Sequence, residues 1–304
     1  MKQQFSRRRF LTISAATALA TGLPAQAGET TRWTGRAMGA EVSMTLSGAL
    51  PKPEAQKVFH AVERELARLE RIFSLYQTGS QITQLNSTGV VTTPAPELLE
   101  VLSLCATLHE ATDGAFDPSV QPLWLALAKN GTLTGNRLAG ARALIGWQHL
   151  RFSPEEVRFE KPGCGLTLNG IAQGYITDRI AALLRGRGLG DVLIDMGEIA
   201  ALGARPWKVG VAMPDGALVD RITLQDRAIA TSSPMGTVLS PARQLGHILD
   251  PRDDAARSLH ELISVSARSA AIADGLSTAL CLIPRADFGP VLAQFAGARL
   301  ETII

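Results

Sequence analysis

Asp274, Ser277 and Thr278 stand in the run Ala273-Asp-Gly-Leu-Ser-Thr-Ala279. On a helix, Asp274 and Thr278 are four apart and share a face, with Ser277 beside them. One carboxylate and two hydroxyls make a hard, oxygen-only set suited to Mg2+, which takes few protein ligands and keeps water or phosphate oxygens. The structural alternative is an acid near a helix N-terminus and a threonine back-bonded to its own helix. A second candidate is Leu166-Thr-Leu-Asn-Gly-Ile-Ala-Gln-Gly-Tyr175. Leu166 and Leu168 alternate as in an incoming strand, Gly170 and Gly174 permit close approach, and Ile176, Ile180, Leu183 and Leu184 continue as a helix face. A strand that turns through glycines into a helix presents free N–H groups, a ready anion site; the plainer alternative is that the glycines serve packing alone.

His247, in His247-Ile-Leu-Asp-Pro251, is a candidate general base or acid near neutral pH, against the commoner case of a structural histidine. Tyr76, Phe116 and Asp117, with Met38, suit an aromatic-lined slot for a flat heterocycle whose edge is read by an acid or a backbone group; as core residues they are equally ordinary. The sequence has no nucleophile elbow, Walker loop or histidine-rich zinc spacing. Cys105, Cys164 and Cys281 sit in apolar contexts without metal-ligand spacing, so they receive no chemistry.

The elements that must position these groups follow from periodicity. Residues 32–46 alternate as a strand around Met38-Gly39, and residues 54–72 carry Val58, Val62, Leu66 and Leu69 at helical spacing. Ser80 is placed to cap a short helix through Ile82 and Leu85, and Pro96 opens a longer one that Asp113-Gly114 ends. Residues 136–145 read as a short helix, 148–168 as a hairpin and 171–186 as a helix. Strands are predicted at 192–194, 207–213, 220–225, 227–231, 262–266 and 299–304, and helices at 274–282 and 286–296. Strands and helices mix without strict alternation or repeats, which predicts an α+β fold in two lobes around a cleft.

The chain has 304 residues, 46% hydrophobic and 19% charged, enough for a sizeable core. Of its 30 basic residues four (Lys2, Arg7, Arg8, Arg9) lie in the first 27, which contain no acid; the remainder carries 26 basic against 28 acidic residues, or −2. No basic stripe suggests nucleic acid. Ser6-Arg-Arg-Arg-Phe-Leu11 looks like a twin-arginine motif, followed by a mildly apolar run over 11–23, too short to span a bilayer, and a small-x-small site at Ala25-Gln-Ala27. Residues 1–27 are therefore read as an export signal to the periplasm, without a lipid anchor, and 28–304 as the mature domain.

In order, Met38-Gly, Ser74-Leu-Tyr-Gln-Thr-Gly-Ser-Gln-Ile-Thr-Gln-Leu-Asn86, Gly114-Ala-Phe-Asp-Pro118, Gly170-Ile-Ala-Gln-Gly-Tyr175 with Asp178, Pro206-Trp-Lys-Val-Gly210, Ala230-Thr-Ser232, His247-Ile-Leu-Asp-Pro-Arg252 and Asp274-Gly-Leu-Ser-Thr278 together resemble the ApbE family over nearly all of the mature chain. The resemblance implies the α+β flavin transferase fold, with a central FAD and Mg2+ cleft. It implies Mg2+-dependent transfer of FMN from FAD to a Ser or Thr hydroxyl of an acceptor flavoprotein, with release of AMP. Asp274, Ser277, Thr278 and the Gly170 carbonyl would hold Mg2+, His247 would be the base for the acceptor hydroxyl, and Met38, Tyr76, Ala115, Phe116, Asp117 and Ile248 would line the FAD site.

The chain departs from the family pattern Asp-Leu-Gly-Gly-Ile-Ala-Lys-Gly, having Thr167 for the acid and Gln173 for the lysine. Both can still hydrogen-bond the nucleotide, with less charge assistance. Twin-arginine export with this variant loop is similar to the NosX-type branch linked to nitrous-oxide reductase maturation, which implies a NosR-type membrane protein as acceptor. An FAD pyrophosphatase releasing FMN and AMP, and a non-catalytic flavin-binding assembly factor, are the competing readings.

Overall fold

The computed structural model describes residues 29–240, 244–253 and 257–304; the export signal read over 1–27 lies outside them. Strands β1 (Thr30–Ala37) and β2 (Ala40–Ser47) form a hairpin whose turn is Met38-Gly39, both with positive φ (50° and 82°), the left-handed pair that a two-residue hairpin favours. Helices α1 (Lys52–Phe73) and α2 (Gln81–Thr88), strand β3 (Val90–Thr92) and helix α3 (Pro96–Ala111) follow. Ser80 caps α2 as expected, its hydroxyl accepting from the Thr83 N–H. Next come α4 (Gln121–Asn130), α5 (Gly135–Arg142), β4 (Leu150–Phe152), β5 (Glu156–Phe159) and α6 (Ala172–Arg185). The rest is mostly sheet: β6 (Val192–Asp195), β7 (Ile199–Leu202), β8 (Trp207–Ala212), β9 (Leu218–Leu224), β10 (Arg227–Ser232), β11 (Val238–Ser240), β12 (Leu245–Gly246), β13 (Ile263–Ala267), α7 (Ala270–Leu280), α8 (Phe288–Ala293) and β14 (Arg299–Ile303).

A seven-stranded sheet in the order β1-β2-β6-β7-β10-β13-β14 forms the centre, and every neighbouring pair in it is antiparallel. Its central strands are buried on both faces, so they read as unbroken apolar runs. Val192 and Ile194 point with Ala200 and Leu202 into the main core, against α1, α3, α6 and α7. Leu193, Ile199, Ala201 and Ile229 point the other way, onto Trp207, Val209 and Val211 of β8 and Leu224 of β9. This alternation makes three layers: helices, sheet, hairpin. A smaller core joins α4 and α5 to β11 and β12 through Leu123, Leu127, Leu133, Leu239, Leu245 and Leu249. The fold is α+β as expected, with unequal packing units.

Three expectations are corrected. Residues 160–171 contain no strand, so the hairpin ends at Phe159 and Leu166–Leu168 is not an incoming strand. The Asn86 amide meets both polar groups of Leu166, donating to its carbonyl (2.8 Å) and accepting from its N–H (2.7 Å), while the Thr167 N–H goes to the Pro118 carbonyl. A side chain and a loop thus replace a sheet neighbour. Strand β7 was not anticipated, because Asp195-Met-Gly197 reads as a stop; it is a tight turn in which the Gly197 N–H donates to the Asp195 carboxylate. Helix α7 begins four residues before Asp274, capped by Ser269.

Candidate active site

The site grows from the contact between α6 and α7, which run antiparallel. Asp178 of α6 accepts from the Ser269 hydroxyl and from the N–H groups of Ala270 and Ala271, holding the first turn of α7. One turn further along, the N–H of Gly174, a free donor in the first turn of α6, donates to Asp274 Oδ2 at 3.1 Å. The two helices approach so closely that a Cβ at residue 174 would collide with the Ala270 carbonyl and the Ala271 backbone, so only glycine fits. The packing alternative for the glycines therefore accounts for Gly174. It applies to Gly170 as well: a Cβ there would lie 2.9 Å from Thr278 Oγ1, so the Gly170 backbone packs closely on the Thr278 side chain.

Asp274 is thus no exposed acid of a first turn. It is the fifth residue of α7 and is buried. Thr278 does not make the helix back-bond; Ser277 does, donating to the Asp274 carbonyl at 3.0 Å. Ser232, at the end of β10, bridges the hydroxyls, 2.7 Å from Ser277 Oγ and 3.3 Å from Thr278 Oγ1.

Burial pushes the Asp274 carboxyl up to about 7, opposed by the Gly174 N–H and reinforced by Asp178. Glu198, in the β6–β7 turn, is 7% exposed and lines the same cleft. Burial, then Asp274 and Asp195, raise its carboxyl well above the usual range. Among the described residues no lysine or arginine lines the cleft. Two buried carboxylates without a cationic neighbour among the described residues, in a cleft that Thr278 and Gly170 also line, fit a hard divalent cation. Among the described residues no cluster of three or more His, Cys, Asp or Glu side chains offers a metal site of another kind. Asp274, Thr278 and the Gly170 carbonyl would hold Mg2+; Ser277 is buried behind them and bonded to Ser232.

His247 lines the same cleft. Its Nδ1 is 2.9 Å from the Pro234 carbonyl; a carbonyl only accepts, so Nδ1 carries the proton and Nε2 is the basic nitrogen. Burial lowers its pKa against the pull of the Pro234 and Thr237 carbonyls, which keeps the ring neutral. Gly246 permits this geometry, since a Cβ there would overlap the Pro234 carbonyl. Arg252 straps the segment down. It binds Asp250 through Nε (3.0 Å) and a terminal nitrogen (2.8 Å), and donates to the carbonyls of Thr112, after α3, and Leu282, after α7.

The structure distributes the remaining candidates over two adjoining hollows. Ala115, Phe116, Asp117, Thr167, Gln173 and Ile248 line the inner cleft with Gly170, His247, Asp274 and Thr278. Asp117 also caps the turn after it, accepting from the Ser119 N–H at 2.8 Å, and Thr167 accepts from the Asn169 N–H. Gln173 is buried with its amide packed over Gly197. Tyr76, 52% exposed, lines an outer hollow with Gly39 and Glu70. Met38 lines neither; its N–H donates to Glu70 Oε1 at 2.6 Å. Phe116 and Asp117 thus line the inner cleft, Tyr76 the adjoining hollow, and Met38 stands beside it through Glu70. Trp124 and Asn169 line both hollows and join them.

Trp124, Asn169, Glu198 and Ser232 were not singled out as site residues from the sequence. Asn169 and Ser232 stood inside motifs already quoted, and Glu198 is an acid one residue beyond the stop signal Asp195-Met-Gly197. Trp124 lies in Pro122-Leu-Trp-Leu125, which gives no cue beyond a buried helix.

Known proteins resemble this chain in sequence and in fold. The chain is 27% identical over 279 residues to an FAD:protein FMN transferase of Chlamydia pneumoniae, covering 86% of this chain and 88% of that protein. In three dimensions it is similar to the flavin transferase ApbE of Vibrio cholerae (TM-score 0.77, 22% identity, 90% of this chain and 96% of that one). It is also similar to the apo flavinyl transferase ApbE of Pseudomonas stutzeri (TM-score 0.75, 24% identity, 88% and 89%). The family model described as the ApbE family matches residues 38–302, and with that match across almost the whole described chain, this protein belongs to the ApbE family.

Proposed function

We infer that this chain is a transferase that moves FMN from FAD to another protein, the activity named for its curated relatives. We propose further that the reaction depends on Mg2+, that the acceptor is a Ser or Thr hydroxyl, and that AMP leaves. The observation that carries this reading is the lining of one cleft by two unlike sets of residues. One has the buried Asp274 carboxylate with Thr278 and Gly170; the other has a neutral histidine with a fixed tautomer.

When bound, Mg2+ neutralises pyrophosphate charge and favours departure of the AMP phosphate. The chain's own residues do the rest. Asp274, held by Gly174, and Thr278, held by Ser232, fix the place where the pyrophosphate is gripped. His247 Nε2 takes the proton as the acceptor oxygen bonds to the FMN phosphorus and the P–O bond to AMP breaks. Phe116 and Ile248 are buried and present apolar surface to the bound nucleotide. Thr167, Asn169 and Gln173 offer hydrogen bonds without charge. We propose the periplasm as the place of action and an exported FMN-binding domain as acceptor, a NosR-type membrane protein being the candidate. The signal-like residues 1–27 and the variant loop with Thr167 and Gln173 support this.

The test mixes the mature protein with FAD, Mg2+ and an acceptor domain, and reads flavin fluorescence on the denatured acceptor together with AMP. Labelled acceptor and equimolar AMP are expected. AMP without label would replace transfer by hydrolysis. Bound but unchanged FAD, with a competent acceptor present, would overturn the enzymatic reading.

A further inference from the structure

We propose that Glu198 couples nucleotide binding to the cation: it helps to hold the metal and closes the cleft to FAD that arrives without one. The proposal rests on the functional reading above and assigns a role to a residue outside the cation set drawn there.

The charges in the cleft carry the argument. Among the described residues its lining includes Asp117, Glu198 and Asp274, and neither lysine nor arginine. Asp117 is engaged by the Ser119 N–H and lies 3.9 Å from His109, and one Asp274 oxygen is engaged by Gly174. Glu198 is more than nine-tenths buried, its carboxyl meets the Thr231 backbone N–H, and it has no ion-pair partner among the described residues. Its backbone is fixed, its carbonyl accepting from the Thr177 hydroxyl of α6 at 3.2 Å, so the side chain has little freedom to withdraw. A pyrophosphate carries two negative charges into this space. Gln173, on the same wall, hydrogen-bonds but neutralises nothing. Like charges brought together where water is scarce repel strongly, and a divalent cation between them reverses the sign. The carboxylate that repels the bare nucleotide is thus the one that attracts the cation.

The test uses the mature protein and its Glu198→Gln and Glu198→Asp variants at pH 8. Mn2+ binding to the FAD-free protein is read from the loss of free-ion electron paramagnetic resonance signal. FAD binding is read from flavin fluorescence with Mg2+ and with EDTA. In the parent protein EDTA is expected to weaken FAD binding at least about tenfold. Glu198→Gln should weaken Mn2+ binding at least about tenfold while strengthening FAD binding in EDTA. Glu198→Asp, which restores the charge, should lie between the two on both readouts, a rescue that a merely structural role would not give. Thermal melting checks folding, and the Asp variant decides if the Gln variant does not fold. Parental Mn2+ affinity in Glu198→Gln, or unchanged FAD binding in EDTA, overturns the inference and leaves the functional reading standing. A parent protein that binds FAD equally well in EDTA overturns the coupling itself, and one that binds neither Mn2+ nor FAD overturns both.

Discussion

The two walls of the cleft are built in opposite ways. The Asp274 wall is two helices fastened at two levels, by Asp178 on the start of α7 and by Gly174 on Asp274, with no room for a Cβ between them. The His247 wall is a segment after β12 whose described residues 247–253 form no helix or strand, held by the Pro234 carbonyl at the imidazole and by the hydrogen bonds of Arg252. A binding point for a small hard cation tolerates little displacement, because its ligands must stay within a narrow distance range. A base must meet an incoming macromolecular hydroxyl, and a segment strapped at a few points can adjust to it. Catalytic groups on loops over a rigid scaffold are the general pattern; here one site uses both solutions.

The comparison predicts unequal consequences when each wall is broken. Asp274→Ala should cost at least about a thousandfold in turnover, since it removes a buried carboxylate that would hold the cation, with AMP release as the readout and circular dichroism unchanged. His247→Ala should cost about a hundred- to ten-thousandfold, and the pH dependence of the transfer rate assigned to the base should vanish with it; unchanged labelling across pH would remove the base role. Gly174→Ala should destabilise the protein by about 1–3 kcal/mol through overpacking of α6 on α7, read as a lower denaturation midpoint. Arg252→Ala should cost about 1–2 kcal/mol. Its side chain is 35% exposed, which reduces the penalty below that of a fully buried pair, but the 8% exposed Asp250 is left unpaired. The loss in transfer rate should exceed the loss in Mn2+ affinity.

The smallest effect is in pH. The Asp274 carboxyl, raised to about 7 in the metal-free protein, contributes stability that is complete below its ordinary value near 3.8 and lost as pH rises through about 7. Glu198 acts in the same direction. His247, whose pKa is lowered, acts oppositely, its contribution present above 6.5 and lost as pH falls through its lowered value. Comparing melting with and without Mg2+ at each pH cancels the histidine. The stabilisation by Mg2+ should grow by a few degrees (~2–5 °C) from pH 6 to pH 8 and stay flat in Asp274→Ala.

Legibility in the sequence followed the same division. Asp274 and Thr278 could be placed on one face because a helix fixes the relation of residues four apart, and the helices and most strands followed from their periods. Glu198 could not be placed, because its role comes from β7 lying beside β10, a relation between residues some thirty apart. Leu166 and Leu168 misled for a related reason: alternation signals burial on one side, and both leucines are buried, but the hydrogen-bonding neighbour is the side chain of Asn86 rather than a strand. Trp124 was hidden because a wall of a cleft and a wall of a core take the same residue.

The claim that the cleft has two separable walls is tested most directly by Mn2+ binding to the Asp274→Ala and His247→Ala proteins, measured side by side. The account predicts that the first loses Mn2+ binding and that the second keeps it at parental affinity while failing to transfer flavin. Parental Mn2+ binding in Asp274→Ala, or its loss in His247→Ala, would contradict it.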